Sequence, residues 1–290
     1  MAKAAFIGLG VMGYPMAGHL QKAGHAVTVF NRTAAKAERW VAQFGGAAAP
    51  TPAAAADGAD FVFTCVGNDD DLAAVTLGEN GCFAALKPGA VFIDHTTASA
   101  AIARRLAAEA EARDAAALDA PVSGGQSGAE NGQLGIMVGG GKAAFAQAAP
   151  ILTVYAKALA LIGPAGSGQL TKMVNQICIG GLLQSLAEAL TFGRAAGLDM
   201  GKVLSVVSAG AATSWQMQNR ASTMLDGKFD FGFAVDWMRK DFAIVLEEAQ
   251  ALGLDLPVTR LVDGYYAEVQ TMGGGRWDTS SLIARLTKAD

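Results

Sequence analysis

The 290-residue chain is poor in several kinds of residue, and each scarcity excludes something. Its three cysteines, Cys65, Cys82 and Cys178, lie far apart and form no Cys-x-x-Cys pair, which rules out a disulfide framework and a cysteine zinc site. Three histidines, with no Gly-x-Ser-x-Gly elbow and no His-Glu-x-x-His run, leave triad hydrolysis and zinc hydrolysis without their parts. Charged residues make up 17% of the chain and the net charge is −4, so no basic surface is offered to nucleic acid or anionic lipid. No stretch reaches the roughly 18 apolar residues, low in glycine and proline, that a membrane helix needs. With 52% hydrophobic residues and 8 prolines the chain is neither disordered nor collagen-like. Met1-Ala2-Lys3 and the uncharged run after it have the outline of a short secretion signal, but Gly8, Gly10, Gly13 and Pro15 interrupt it. The expectation is an uncleaved chain in a reducing cytoplasm, with no metal.

The residues that are present fall into two parts. Up to about residue 164, short apolar segments at 4–7, 26–30, 61–66 and 91–94 alternate with helical stretches at 12–23, 34–43 and 98–113. Further strands are expected at 115–119, 135–138 and 158–162. Fully apolar strands separated by helices predict an α/β doubly wound, parallel sheet of the Rossmann type, covered on both faces. After Gly163-Pro164-Ala165-Gly166 no strand is expected. One long helix at 167–196 leads into helices at 200–209, 234–252, 257–271 and 280–288. The predicted division is a nucleotide-binding domain at 1–164 and an all-helical substrate and oligomerisation domain at 165–290.

Gly8-Leu9-Gly10-Val11-Met12-Gly13 reads Gly-x-Gly-x-x-Gly between a strand and a helix. In that context the first glycine permits a tight turn, the second admits a pyrophosphate, and the third lets the helix pack on the strand. The rival run Gly139-Gly140-Gly141-Lys142 is followed by Ala143 and lacks Walker spacing. At the tip of the second strand, where a carboxylate would hold the ribose hydroxyl of NAD, the chain has Asn31-Arg32-Thr33. An arginine fork with no acid at the tip favours the 2′-phosphate of NADP(H), with NAD(H) still possible.

Two further segments offer chemistry. Asp119-Ala120-Pro121-Val122-Ser123-Gly124-Gly125 follows a strand, where a hydroxyl and glycine amides can cradle a carboxylate. In Gly166–Gln176, Lys172, Asn175 and Gln176 stand at i, i+3 and i+4, on one face of a helix. A lysine with two amides suits a proton donor with orienting partners; an ordinary solvated polar patch has the same spacing. His95 follows a strand with no visible partner, and Trp215, Phe231, Phe233 and Trp237 are as compatible with core as with a pocket.

Together, 6–20, Asp119–Gly125, Gly166–Gln176 and 233–242 (FAVDWMRKDF), in that order, resemble the β-hydroxyacid dehydrogenase family over essentially the whole chain. This family includes 3-hydroxyisobutyrate dehydrogenases, tartronate semialdehyde reductases and glyoxylate/succinic semialdehyde reductases. The resemblance implies Lys172 as catalytic acid/base. It implies Ser123, Gly124 and Gly125 at the substrate carboxylate, with Asn175 and Gln176 orienting the substrate. Val66, Gly67, Asp71 and Thr97 would line the nucleotide, and Lys240 would contact the cofactor, unless it pairs with Asp236 at i−4. Gln176 replaces a second asparagine usual in the family, and Cys65-Val66-Gly67 departs from its usual Met/Leu-Leu-Pro. The resemblance further implies a homodimer or homotetramer acting on a small carboxylate. An imine reductase of the same fold and a non-enzymatic NADP-binding sensor are the alternatives; neither needs Lys172 together with Ser123, Asn175 and Gln176.

Overall fold

A computed structural model describes residues 1–286. The chain divides into two compact units, one running from Met1 to Lys172 and the other starting at Met173.

The first unit is built on a nine-stranded sheet. Its strands are β1 (Lys3–Ile7), β2 (Ala26–Phe30), β3 (Ala47–Ala48), β4 (Phe61–Thr64), β5 (Val91–Asp94), β6 (Ala116–Asp119), β7 (Val122–Ser123), β8 (Leu134–Gly140) and β9 (Ala156–Gly163). The order is β3-β2-β1-β4-β5-β6-β8-β7, with β9 also paired to β8. The six strands from β3 to β6 run parallel; the sequence predicts five of them, and the two-residue edge strand β3 is added by the structure. The later strands do not simply extend that sheet: β8 is antiparallel to both β6 and β7, and parallel to β9.

Side chains alternate across a strand, and β1 shows why both faces had to be covered. Ala4 and Phe6 enter one core with Met16, Leu20, Trp40, Ile93 and Tyr155. Ala5 and Ile7 enter the opposite core with Val62, Leu72, Phe83 and Phe92. A strand apolar at every position is therefore satisfied only in the middle of a sheet, and β1 sits there.

Helix Ser167–Ala195 is continuous, so the division between units falls within it. The second unit is helical, with helices Met200–Val207, Trp215–Leu225, Val235–Ala251 and Pro257–Thr271 around Leu183, Leu190, Met238, Phe242 and Tyr266. Helix Trp215–Leu225 was not legible as an apolar stripe, since Gln, Asn, Arg, Ser and Thr fill most of its positions; Ser214 caps it by accepting the Met217 N–H at 3.0 Å. The helix predicted at 280–288 is a 3₁₀ segment, Thr279–Arg285, and its predicted end lies outside the described residues. Among the described residues no helix is long and apolar enough to cross a membrane.

Candidate nucleotide and substrate site

The glycine turn leaves β1 with Gly8 at φ +99°, a left-handed conformation that favours glycine. A Cβ on Gly8 would stand 2.2 Å from the Cys65 carbonyl oxygen, and one on Gly13 would stand 2.0 Å from the Gly8 carbonyl oxygen. Both glycines are therefore demanded by packing. Gly10 is different: a Cβ there meets nothing within 4 Å, and the residue is exposed. Val11 is also exposed, and Met12 stands at the N-cap of helix Gly13–Lys22 without a side-chain cap. A turn whose middle glycine faces open space at a helix N-terminus fits a dinucleotide pyrophosphate.

The tip of β2 is organised by Asn31. Its Oδ1 accepts the Leu9 N–H at 2.9 Å, and its Nδ2 donates to the Thr33 carbonyl at 3.1 Å. Asn31 thus holds the glycine turn against β2, and its amide is committed at both ends. Thr33 occupies the N-cap position of helix Ala34–Phe44, but its hydroxyl makes no capping bond. Arg32 projects into solvent and pairs with Asp71, Nη1 to Oδ1 at 3.3 Å.

The loops after β4 and β5 are tied together. Thr96, unnoticed in the sequence beside Thr97, accepts the Val66 N–H on its Oγ1 at 3.1 Å. Val66 packs its Cγ1 beside Gly8, Gly67 is half-buried, and Thr97 is half-buried in the loop after β5. Asp94 accepts from Thr64 Oγ1 at 2.7 Å and the Thr96 N–H at 3.0 Å. Burial pushes its carboxyl up to about 7, against the bonds from Thr96 and Thr64. His95 is packed into the core. Its Nδ1 lies 2.6 Å from the Ala120 carbonyl, its Nε2 lies 2.8 Å from the Tyr155 hydroxyl, and its ring stacks on Phe63. Burial lowers its pKa to about 4, so it is a neutral core histidine.

Asp119 opens the third motif with a role the sequence did not suggest. Its Oδ1 accepts the Gly166 N–H at 2.8 Å and its Oδ2 the Gln169 N–H at 2.9 Å, capping helix Ser167–Ala195. Burial raises this carboxyl above its usual range, and the helix N–H groups oppose the rise. Gln169 is itself fixed, accepting the Ala98 N–H at 3.1 Å and donating to the Thr96 carbonyl at 2.7 Å. One turn further along the helix, Lys172 is 9% exposed, and its Nζ donates to the Val122 carbonyl at 2.8 Å. The next residue, Ser123, ends β7, and Gly124 and Gly125 follow at φ +132° and +62°, both exposed. The structure therefore brings Lys172 to the Ser123–Gly125 segment within one unit. The chemistry it allows there is a proton donor beside a hydroxyl and a pair of open backbone amides.

In the second unit Asn175, Gln176 and Lys240 form a chain of polar contacts. Asn175 Nδ2 donates to Gln176 Oε1 at 2.8 Å, and Gln176 Nε2 donates to Asp241 Oδ2 at 2.5 Å. Lys240 Nζ lies 2.9 Å from Asp241 Oδ1. The alternative partner for Lys240, Asp236, instead accepts from Gln270 Nε2 at 2.6 Å. Asp241 was legible only as part of the 233–242 motif. Among the described residues no group of three or more His, Cys, Asp or Glu side chains could hold a metal ion.

Known proteins resemble the chain over nearly its whole length. Residues 3–163 match the family described as the NAD binding domain of 6-phosphogluconate dehydrogenase. Residues 166–286 match the one described as NAD-binding of NADP-dependent 3-hydroxyisobutyrate dehydrogenase. An uncharacterized oxidoreductase of Shewanella frigidimarina is 61% identical, over 100% of this chain and 99% of its own length. The 2-hydroxy-3-oxopropionate reductase of Escherichia coli is 34% identical, over 98% and 97%. Among solved structures, 3-hydroxyisobutyrate dehydrogenase of Mycobacterium tuberculosis with L-serine matches with a TM-score of 0.89 at 29% identity, covering 99% of this chain and 100% of that one.

Proposed function

The chain belongs to the β-hydroxyacid dehydrogenase family of NAD(P)-dependent oxidoreductases, and from that we propose that it interconverts a short β- or γ-hydroxy carboxylate and its semialdehyde, with NADP(H) preferred and Lys172 as acid/base. The bound nicotinamide supplies or accepts the hydride. The protein's own residues bind the carboxylate, orient the carbonyl and move the proton.

Ser123 Oγ and the Gly124 and Gly125 backbone receive the substrate carboxylate in a short run of open amides. Lys172 Nζ gives a proton to the carbonyl oxygen in reduction and takes it back from the hydroxyl in oxidation. Asn175 and Gln176, on the following turn of the same helix, orient the substrate, and Lys240 serves the cofactor. Gly8–Gly13 carries the pyrophosphate, Asn31, Arg32 and Thr33 the ribose 2′-phosphate end, and Val66, Gly67, Asp71 and Thr97 the remainder of the nucleotide. In this reading residues 1–164 bind nucleotide and 165–290 serve substrate and assembly, as a cytoplasmic homodimer or homotetramer. The exposed Phe192 and Val206 of the helical unit favour assembly.

The observation that carries the proposal is the 2.8 Å bond from Lys172 to the carbonyl that precedes Ser123. The test follows NADPH absorbance with glyoxylate, succinic semialdehyde, tartronate semialdehyde and methylmalonate semialdehyde, repeated with NADH. Lys172→Ala should lower kcat on the best aldehyde by about 10²–10⁴-fold while NADPH binding stays near wild type. A variant with wild-type kcat would remove Lys172 from the mechanism.

A further inference from the structure

Resting on the NADP(H) preference proposed above, we infer that Asp71 sets how strongly the chain distinguishes NADP(H) from NAD(H), by competing with the 2′-phosphate for Arg32. The tip of β2 holds no acid, but an acid reaches it from another element. Asp71 lies in the first turn of helix Asp69–Leu77, and its backbone N–H is capped by Asn68 Oδ1 at 2.8 Å. That cap fixes where its carboxylate starts, and the carboxylate ends 3.3 Å from Arg32 Nη1. The neighbouring acids do other things. Asp69 accepts both the Ser99 N–H at 2.9 Å and the Ser99 hydroxyl at 2.5 Å, and Asp70 is exposed.

Two consequences follow from this placement. A 2′-phosphate taken by the Arg32 fork must displace the Asp71 carboxylate or share the guanidinium with it, and like charges brought that close repel. A 2′-hydroxyl, by contrast, finds in Asp71 the acceptor that NAD-binding relatives of this fold place at the end of the second strand. Asn31 brings no carboxylate to the tip, and its amide already holds Leu9 and Thr33, so the acid that reaches Arg32 is Asp71. Arg32 and Asp71 thus form a balanced pair in which the arginine favours the phosphate and the aspartate restrains it. The pair is exposed, with side-chain accessibilities of 89% and 35%, so its effect is several-fold rather than many orders of magnitude.

The test is a double-mutant cycle read by binding. NADPH and NADH are titrated against the purified wild-type protein, Asp71→Asn, Arg32→Ala and the double variant, using nucleotide fluorescence at low and physiological ionic strength. Asp71→Asn keeps size and backbone and leaves the Asn68 cap in place. It should raise the NADPH-over-NADH affinity ratio about three- to tenfold, more at low salt, and the gain should vanish in the Arg32→Ala background. An unchanged ratio in Asp71→Asn, or the same rise with and without Arg32, overturns the inference while leaving NADP(H) preference standing. If Arg32→Ala leaves NADPH affinity and the ratio at wild-type values, the preference itself has failed and the inference falls with it.

Discussion

The Oδ2 of Asp119 accepts the N–H of Gln169 at 2.9 Å, so a carboxylate at the end of β6 caps the helix that carries Lys172. The position is built around that side chain: a Cβ on Gly139 would stand 2.5 Å from Asp119 Oδ1, and one on Gly168 2.8 Å from Oδ2. Gly139 is the register partner of Asp119 across the antiparallel β6–β8 pair. The first N–H groups of the long helix are therefore met by the chain's own carboxyl group. Asp119→Ala should destabilise the protein by about 2–4 kcal/mol in urea unfolding, because helix N–H groups and a cavity are left behind. It should also lower kcat by displacing Lys172, while NADPH affinity, which depends on the turn after β1, changes less than about threefold. Equal losses of kcat and of NADPH affinity would show general disruption instead.

Gly10 and Gly13 belong to one motif but answer to different forces. Gly13→Ala should lower stability, because its Cβ meets the Gly8 carbonyl oxygen at 2.0 Å and the helix must move off β1. Gly10→Ala has open space and should unfold within about 0.5 kcal/mol of wild type. The same methyl would stand where phosphate oxygens approach, so NADPH affinity should fall at least about tenfold. Thermal unfolding and nucleotide titration of the two variants separate the effects.

Asp94 and His95 are consecutive, buried, and make stability depend on pH in opposite senses. Asp94 Oδ2 has no hydrogen-bond partner among the described residues, a poor place for charge. Its folded pKa of about 7 lies above the unfolded value near 3.8, so its contribution is complete below about pH 4 and lost as pH rises through 7. His95, lowered from 6.5 to about 4, contributes fully above pH 6.5, and that contribution is lost as pH falls through 4. Asp94→Asn mimics the protonated acid, so the advantage of wild type over the variant should shrink between pH 5 and pH 8 in urea unfolding. The His95 ring protons in NMR should report a neutral imidazole down to near pH 4. Titration of that ring near 6.5 would contradict the buried pairing with Ala120 and Tyr155.

Gln176 is held by a buried acid, which makes the pair sensitive to removal of either side. Asp241→Ala leaves the Gln176 amide only the weak Met238 sulfur at 3.7 Å and removes the anion beside Lys240, and should cost about 2–4 kcal/mol. Gln176→Asn shortens the side chain by a methylene and should lose the contact with Asp241 or with Asn175. The variant is expected to be less stable than wild type, by about 1–2 kcal/mol in denaturant unfolding. A variant as stable as wild type would mean that the shorter amide reaches Asp241 by another route.

Much of this molecule follows from residues adjacent in the chain. The strands of the parallel sheet, the Gly8–Gly13 turn, the long helix and the order of the four motifs all depend on local period, turn chemistry and capping, which contiguous sequence specifies. Those features were enough to indicate a dinucleotide-binding α/β unit followed by helices, and to indicate the family. What the tertiary structure alone decided is which partner each polar group takes. Asn31 spends its amide on Leu9, Asp119 caps a helix 50 residues away, Asp71 rather than a residue of β2 answers Arg32, and Asp241 rather than Asp236 answers Lys240. The antiparallel β8 belongs to the same class, because its pairing with β6 is set by packing between distant segments. In each case the competing partners are chemically alike in sequence, and only the distances fixed by packing the two cores of the sheet unit and the separate core of the helical unit choose between them.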